Sequence, residues 1–179
     1  MSTAQVVMEQ QQQAEERLPA VENKISMVVF SGDLDKLLAS LIISTGAVAM
    51  GMKVRLFFTF WGTAALRDPR KTARGKNLMS RMFGFMLPKG ATKVKLSKMN
   101  MGGMGSAMMK MLMQKKKVAS LEEMLALAGQ LGVEICICEM SMGLMGFKRE
   151  EMIDYPNMKV CGVASFLAEA QTSRVQLFI

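Results

Sequence analysis

The chain has 179 residues, half of them apolar, which indicates one folded domain with a substantial core rather than a disordered chain. It contains no histidine, which excludes histidine-based acid–base catalysis, Ser-His-Asp and Cys-His machinery, and every metal site that uses histidine. The net charge of +8 is unevenly spread, because residues 53–117 hold 16 Lys and Arg and one acid, Asp68, whereas the remainder is acidic overall.

The hydrophobic pattern predicts alternating strands and helices after a polar N-terminal appendage at residues 1–20. Apolar, β-branched runs predict strands at residues 25–30, 53–60, 133–138, 159–161 and 175–179. Helical spacing predicts the main helices at residues 34–50, 121–131, 141–147 and 163–171. Over residues 21–179 this alternation predicts a single-domain, doubly wound, mainly parallel α/β sheet of about five strands.

The first predicted helix contains an uncharged run over residues 37–52. This run is 16 residues long, whereas a helix needs about 20 apolar residues to span a bilayer. We therefore expect a buried helix and no stable transmembrane span.

Residues 79–117, the Met-rich segment, are predicted to form a basic helical insertion that holds ten of the 21 methionines. Met104, Met108 and Met111 share one helical face, and an amphipathic, basic helix of this kind can bind a membrane or a protein partner. The same pattern is typical of an ordinary core or subunit-contact helix. Nucleic-acid binding is not expected, because the segment has few aromatic side chains on which bases could stack.

The cysteine usage indicates a reducing compartment. Three cysteines are an odd number, and the polar N-terminus has no apolar signal segment. We therefore expect a cytoplasmic protein with free thiols rather than a disulfide framework. No metal site is expected, since three cysteines lack a fourth zinc ligand and the usual spacing.

Cys138 is the candidate reactive thiol, because it ends a predicted strand just before a predicted helix. Ligands bind at the carboxyl ends of strands in open α/β sheets, and free N–H groups at a helix start stabilise a thiolate. Ser141, Met142 and Gly143 form the turn into that helix and are candidate binding residues. The alternative is that Cys138 is a small buried apolar side chain.

The two other cysteines are not equivalent. Cys136 lies on the same side of its strand as Cys138, about 6.6 Å away, and is expected in the core. Cys161 falls near the carboxyl end of a strand, where it could approach Cys138, and it is the candidate second thiol.

Ser31, Gly32 and Asp33 follow the first predicted strand. They are similar to the start of the SGGxDS phosphate loop of ATP pyrophosphatases, but Asp33 replaces the second glycine and would repel a phosphate. We expect this turn to form one wall of the thiol pocket.

Several motifs, taken together, resemble the DsrE/DsrF-like proteins, and in particular a branch sometimes labelled peroxiredoxin-like. They are FSGDLDK at 30–36, FFTFWG at 57–62, KLSKMNMGGMG at 95–105, CxMSMxxMG at 138–146 and the ending GVASFLAEA…VQLFI. The resemblance covers nearly all of residues 25–179. One departure is Gly143, where the family leads us to expect an acidic residue.

This resemblance implies a DsrE-like fold, homo-oligomers and cytoplasmic sulfur trafficking without a cofactor. It also implies that a cysteine, here Cys138, accepts sulfane sulfur from an anion such as thiosulfate or polysulfide. Partners typical of the family are TusA-type carriers and rhodaneses. The sequence therefore predicts a sulfur carrier or sulfurtransferase-like protein, with a binding module based on the Met-rich segment as the alternative.

Overall fold

A computed structural model describes residues 20–73 and 78–179 as an α/β fold around one sheet. The five strands of the sheet are β1 Glu22–Val29, β2 Lys53–Phe58, β3 Glu134–Cys138, β4 Met158–Cys161 and β5 Ser173–Phe178. They are all parallel and lie in the order β4-β3-β2-β1-β5. The predicted parallel sheet is confirmed, whereas most of the predicted appendage, residues 1–19, lies outside the described residues.

The helices connect the strands and cover the sheet. They are α1 Leu34–Ala49, α2 Trp61–Ala65, α3 Leu78–Met86, α4 Met104–Lys115, α5 Leu121–Gln130, α6 Glu139–Met145 and α7 Val163–Gln171. The sequence did not predict α2, whose five residues begin after Thr59 and Phe60, the two residues that follow β2. Helix α6 begins two residues earlier than predicted, so Cys138 is the residue that precedes it.

The side chains of the strands alternate between two faces, as parallel strands require. On β2, Leu56 and Phe58 join the main core, which α1 and α5 cover, whereas Phe57 points to the opposite face. Leu37 and Leu41 of α1 are buried in this main core. Within the described residues, none of the helices is long and apolar enough to cross a membrane.

The opposite face, called the α7 face here, is covered much more thinly. Its buried apolar cluster is small and consists of Phe57, Cys136, Cys138, Phe166 and Ala170. The rings of Phe57 and Phe166 stack with centroids 4.6 Å apart, which holds α7 against β2. Val163 and Leu167 of the same helix are 57% and 53% exposed. An apolar strip therefore stays open to solvent beside the cysteines.

Ion pairs and hydrogen bonds connect α7 to the amino ends of the strands. The guanidinium of Arg55 bonds to the carboxylates of Glu134 and Glu169. Lys24 donates to Glu169 at 3.2 Å and to Thr172 at 2.7 Å. The α7 face is thus charged at the amino ends of the strands and carries the cysteines at their carboxyl ends.

Candidate functional site

Cys138 ends β3 at the carboxyl edge of the sheet, between β4 and the central strand β2. The apolar run of β3 is buried on both faces, and this burial fixes the strand and its final residue. The Cys138 side chain is only 3% exposed and packs in the same cluster as Phe57 and Phe166. The thiol therefore lies at the carboxyl edge of the sheet, beneath a small cluster of apolar side chains.

The thiol of Cys138 also accepts hydrogen bonds from polar groups. Burial by itself raises the pKa of Cys138, but hydrogen bonding from the Ser141 hydroxyl and N–H, the Thr59 hydroxyl and the Met140 N–H outweighs burial and lowers that pKa below its ordinary value. The Thr59 and Ser141 hydroxyls also bond to each other at 2.8 Å. Cys138, Thr59 and Ser141, called the thiol site here, form a buried hydrogen-bonded cluster that favours the thiolate.

Cys136 and Cys161 are joined by a disulfide, with Cα atoms 5.9 Å apart. This corrects the expectation that all three cysteines are free, since Cys138 is the free thiol of the structure. Cys161 does lie opposite Cys138 in the pairing of β3 with β4, as the predicted topology allowed. The sulfur of Cys161 is nevertheless bonded to Cys136, which lies on the same face of β3 two residues earlier.

The turn of Ser31, Gly32 and Asp33 follows β1. It lines a groove of about 560 Å³ with Trp61 and side chains of the Met-rich segment, and Cys138 does not line this groove. Strand β2 separates β1 from β3, and the chain after β1 turns towards residues 85–95, so this groove does not bring the turn and Cys138 together.

Local packing explains the residues of that turn. A Cβ atom on Gly32 would lie 2.6 Å from the Trp61 carbonyl oxygen, so only glycine fits there. Asp33 directly precedes α1 but makes no side-chain cap, because its carboxylate accepts a 2.8 Å hydrogen bond from the Ser31 hydroxyl.

The three candidate binding residues that follow Cys138 have different surroundings. Ser141 is fully buried at the thiol, whereas Met142 packs in the main core on the other side of the sheet. Gly143 is on the surface of α6, and a Cβ atom there would meet nothing within 4 Å. Space for the expected acidic side chain therefore exists, although the residue is glycine.

The sequence reasoning missed Thr59. It follows β2, which pairs with β3, so its hydroxyl reaches the end of the neighbouring strand. A polar residue at the carboxyl end of a buried run was the available signal. Among the described residues, no cluster of three or more Cys, Asp or Glu side chains could hold a metal ion.

The Met-rich segment forms a second distinctive surface. Met99, Met101, Met104 and Met108 expose more than half of their side-chain surfaces. They line a groove of about 570 Å³ together with Leu96 and Leu112 of the same segment. In this chain the methionine face of α4 is therefore a surface and not part of the core.

Comparisons with known proteins agree with this description. A model of the DsrE/DsrF/DrsH-like family matches residues 21–178. The uncharacterized protein YrkE of Bacillus subtilis is 42% identical over 156 residues, which are 87% of this chain and 96% of YrkE. The sulfur carrier protein DsrE2 of Allochromatium vinosum is 31% identical over 165 residues, which are 88% of this chain and 99% of DsrE2.

A solved structure shares the fold. The crystal structure of the ychN protein from E. coli matches with a TM-score of 0.51 over 87% of this chain and 98% of ychN, at 11% sequence identity. At that identity the similarity concerns the fold alone.

Proposed function

The chain belongs to the DsrE/DsrF/DrsH-like family, and from this premise we propose that it is a cytoplasmic sulfur carrier that holds sulfane sulfur as a persulfide on Cys138. The observation that carries the proposal is the free Cys138 thiol, whose pKa hydrogen bonding lowers despite burial. A persulfide carrier needs a thiolate nucleophile at neutral pH and does not need a histidine. The similarity to a protein named sulfur carrier supports the same reading.

In the proposed reaction the Cys138 thiolate attacks the outer sulfur of thiosulfate. A bond forms between Cys138 Sγ and that sulfur, the sulfur–sulfur bond of thiosulfate breaks, and sulfite leaves with the electron pair. The Ser141 and Thr59 hydroxyls hold the thiolate before the attack. In the second step a partner thiolate attacks the terminal sulfur, and Cys138 leaves as a thiolate, so that no oxidant or reductant is consumed.

The burial of Cys138 sets a condition on this reaction. At 3% exposure the thiol is reached only when its cover moves, and Phe166 of α7 is part of that cover. Helix α7 is the element best placed to move, because its outer face is open to solvent. Cys161, which lies opposite Cys138, is the second thiol of the proposal once its bond to Cys136 is reduced.

The partners proposed for this carrier follow from family and charge. TusA-type or rhodanese-type carriers would exchange sulfur with Cys138, and an acidic carrier would find complementary charge in the basic residues 53–117. The exposed apolar strip of Val163 and Leu167 supports a homo-oligomer in which a second copy covers the α7 face.

Intact mass spectrometry tests the proposal. The protein is reduced, freed of reductant, incubated with thiosulfate or polysulfide and weighed, alongside the variants Cys138→Ser and Cys136→Ser. We expect the wild type and Cys136→Ser to gain the mass of one sulfur that dithiothreitol removes, and Cys138→Ser to gain none. Equal gain on Cys138→Ser would refute the role of Cys138.

A second candidate function is a binding module that uses the Met-rich segment, residues 79–117. The observation in its favour is the exposed methionine groove, an apolar surface that Lys98 also lines, on a segment with a net positive charge. Such a surface could contact an anionic membrane or a protein partner.

Co-sedimentation with vesicles that contain phosphatidylserine separates the two functions. A membrane-binding module should bind such vesicles equally well as wild type and as Cys138→Ser, and Met104→Ser together with Met108→Ser should weaken binding. Absence of binding by the wild type at low salt would remove the membrane form of this candidate.

A further inference from the structure

Cys136 and Cys161 stand at a diagonal across two paired strands. In the β3–β4 pairing Cys136 lies opposite Lys159, and Cys161 lies opposite Cys138. The Cα atoms of Cys136 and Cys161 are 5.9 Å apart, within the range of about 4.4–6.8 Å that disulfides span. Both cysteines lie on the α7 face, so the bond closes without a change of register.

We propose that Cys136 and Cys161 are a redox-active pair, which forms and opens its disulfide by exchange with low-molecular-weight disulfides and thiols. The position of the pair supports reversible chemistry. Strand β4 has only four residues and is the edge of the sheet, next to β3. A disulfide at such an edge is closer to solvent than one in the main core.

Cys136 and Cys161 differ in solvent exposure, and this difference indicates which of them reacts first with a small disulfide. Cys161 is partly exposed, whereas Cys136 is 2% exposed beneath Phe57 and Phe166. A small disulfide can therefore reach Cys161 first, and Cys136 is placed to resolve the mixed disulfide from within the protein. Cys138 is held separately by Ser141 and Thr59.

One small disulfide is the oxidant that converts the two thiols of Cys136 and Cys161 into a disulfide. The Cys161 thiolate attacks one sulfur of the small disulfide, a mixed disulfide forms, and the first small thiolate leaves and takes up a proton. The Cys136 thiol loses its proton and attacks Cys161 Sγ, which expels the second small thiolate. Two protein thiols are oxidised and one small disulfide is reduced to two thiols, and excess thiol reverses both steps.

The state of the pair decides what lies opposite Cys138. In the disulfide form the Cys161 sulfur is occupied, and Cys138 is the free thiol at this edge. In the reduced form Cys161 presents a second thiol directly across from Cys138. This consequence rests on the proposed function, because only a Cys138 that carries sulfane sulfur could pass it to Cys161, whereas the redox pair itself needs no bound sulfur.

Redox titration with peptide mapping tests the pair. The full-length protein is equilibrated without oxygen in glutathione buffers of stepped ratio, quenched in acid, and labelled with one alkylating reagent before reduction and a second one afterwards. Cys136 and Cys138 share the tryptic peptide 118–148, so tandem fragmentation must locate the label on each. We expect Cys136 and Cys161 to oxidise together along one curve, with Cys138 remaining reduced.

Three single variants identify which two cysteines form the internal disulfide. Cys138→Ser should leave the titration midpoint unchanged, whereas Cys136→Ser should lose the internal disulfide and accumulate glutathione on Cys161. Cys161→Ser changes a partly exposed position, tolerates substitution better, and should also lose the disulfide. A Cys138–Cys161 crosslink in the wild type, loss of the disulfide in Cys138→Ser, or no internal disulfide at any ratio would overturn the proposal.

The outcome is separable from that of the proposed function. Failure of Cys138 to gain sulfur, with the Cys136–Cys161 titration intact, would refute the carrier role alone. Sulfur gain on Cys138 without an internal disulfide would refute the redox pair alone.

Discussion

Sulfur is concentrated in two parts of this molecule, and the two parts are built in opposite ways. At the carboxyl edge of the sheet, Cys138 is 3% exposed and polar groups favour its thiolate. In the Met-rich segment, Met99 and Met104 expose 74% and 67% of their surfaces around an apolar groove. One part buries the thiol that we propose as the sulfur carrier, and the other exposes flexible methionine side chains.

The two parts meet different requirements, since a carrier thiolate takes part in a reaction whereas the methionine surface only makes contacts. A thiolate is useful to a carrier only if it is stabilised and shielded from side reactions, which requires packing and hydrogen bonds. A contact surface needs exposure and flexibility, which methionine side chains supply. We therefore expect substitutions at the carboxyl edge to change stability and reactivity, and substitutions in the methionine groove to change binding alone.

The largest difference should come from truncating one apolar side chain in each part. Phe166→Ala removes the ring that stacks on Phe57 and should lower the free energy of unfolding by about 3 kcal/mol. Met104→Ala on the exposed face should change it by less than about 0.5 kcal/mol. Urea denaturation measures both, and equal effects would contradict the contrast.

The same Phe166→Ala variant tests whether Phe166 shields the Cys138 thiol from reagents in solution. Loss of part of the cover should speed the alkylation of Cys138 by iodoacetamide in the folded protein. An unchanged rate would mean that the cover over the thiol lies elsewhere.

A smaller effect is expected at the polar end of the α7 face. Arg55→Met leaves Glu134 and Glu169 without their guanidinium and should lower the free energy of unfolding by about 1–2 kcal/mol, less than for a fully buried pair because both carboxylates are partly exposed. Lys53→Met is the matched control, since Lys53 is exposed and meets Glu22 only at 3.5 Å. A similar loss in Lys53→Met would contradict the assignment.

The pH dependence of the wild type follows from the same contacts. Burial raises the pKa of Glu169, but hydrogen bonds from Arg55 and Lys24 outweigh it and lower that pKa in the folded state. Its contribution to stability is therefore present above the pKa of the unfolded state and is lost as the pH falls through the folded pKa. In Arg55→Met the loss of stability on acidification should be smaller.

The smallest of these effects is expected on the titration of Cys138. Ser141→Ala removes a hydroxyl that stabilises the thiolate, so the pKa of Cys138 should rise. In a pH titration followed by the ultraviolet absorbance of the thiolate, the absorbance should therefore increase at higher pH than in the wild type. With the Cys136–Cys161 disulfide closed, Cys138 is the thiol that titrates. Leu144→Ala, on the exposed side of α6, should leave the curve in place.

Much of the fold and part of the site could be predicted from the sequence. The apolar run at 133–138 and the helical pattern after it placed Cys138 at a strand end, because local periodicity determines such elements. The Ser120–Glu123 capping box at the start of α5 is present for the same local reason. Resemblance in the motifs then indicated the family, which is confirmed.

The remaining parts of the site depend on which strands are neighbours. Thr59 reaches Cys138 only because β2 lies beside β3, and Cys136 reaches Cys161 only because β4 lies on the other side of β3. Spacing along the chain does not give this order, and disulfide connectivity cannot be deduced from sequence alone. The groove that the turn at Ser31 lines depends on the same strand order.

The central claim is that Cys138 alone is sufficient to hold the sulfur. The most direct test is the double variant Cys136→Ser, Cys161→Ser, which leaves Cys138 as its one cysteine. After its fold is verified by circular dichroism, it is incubated with thiosulfate and weighed intact. We expect a gain of one sulfur that dithiothreitol removes, and a folded double variant that gains no sulfur would contradict the carrier role of Cys138.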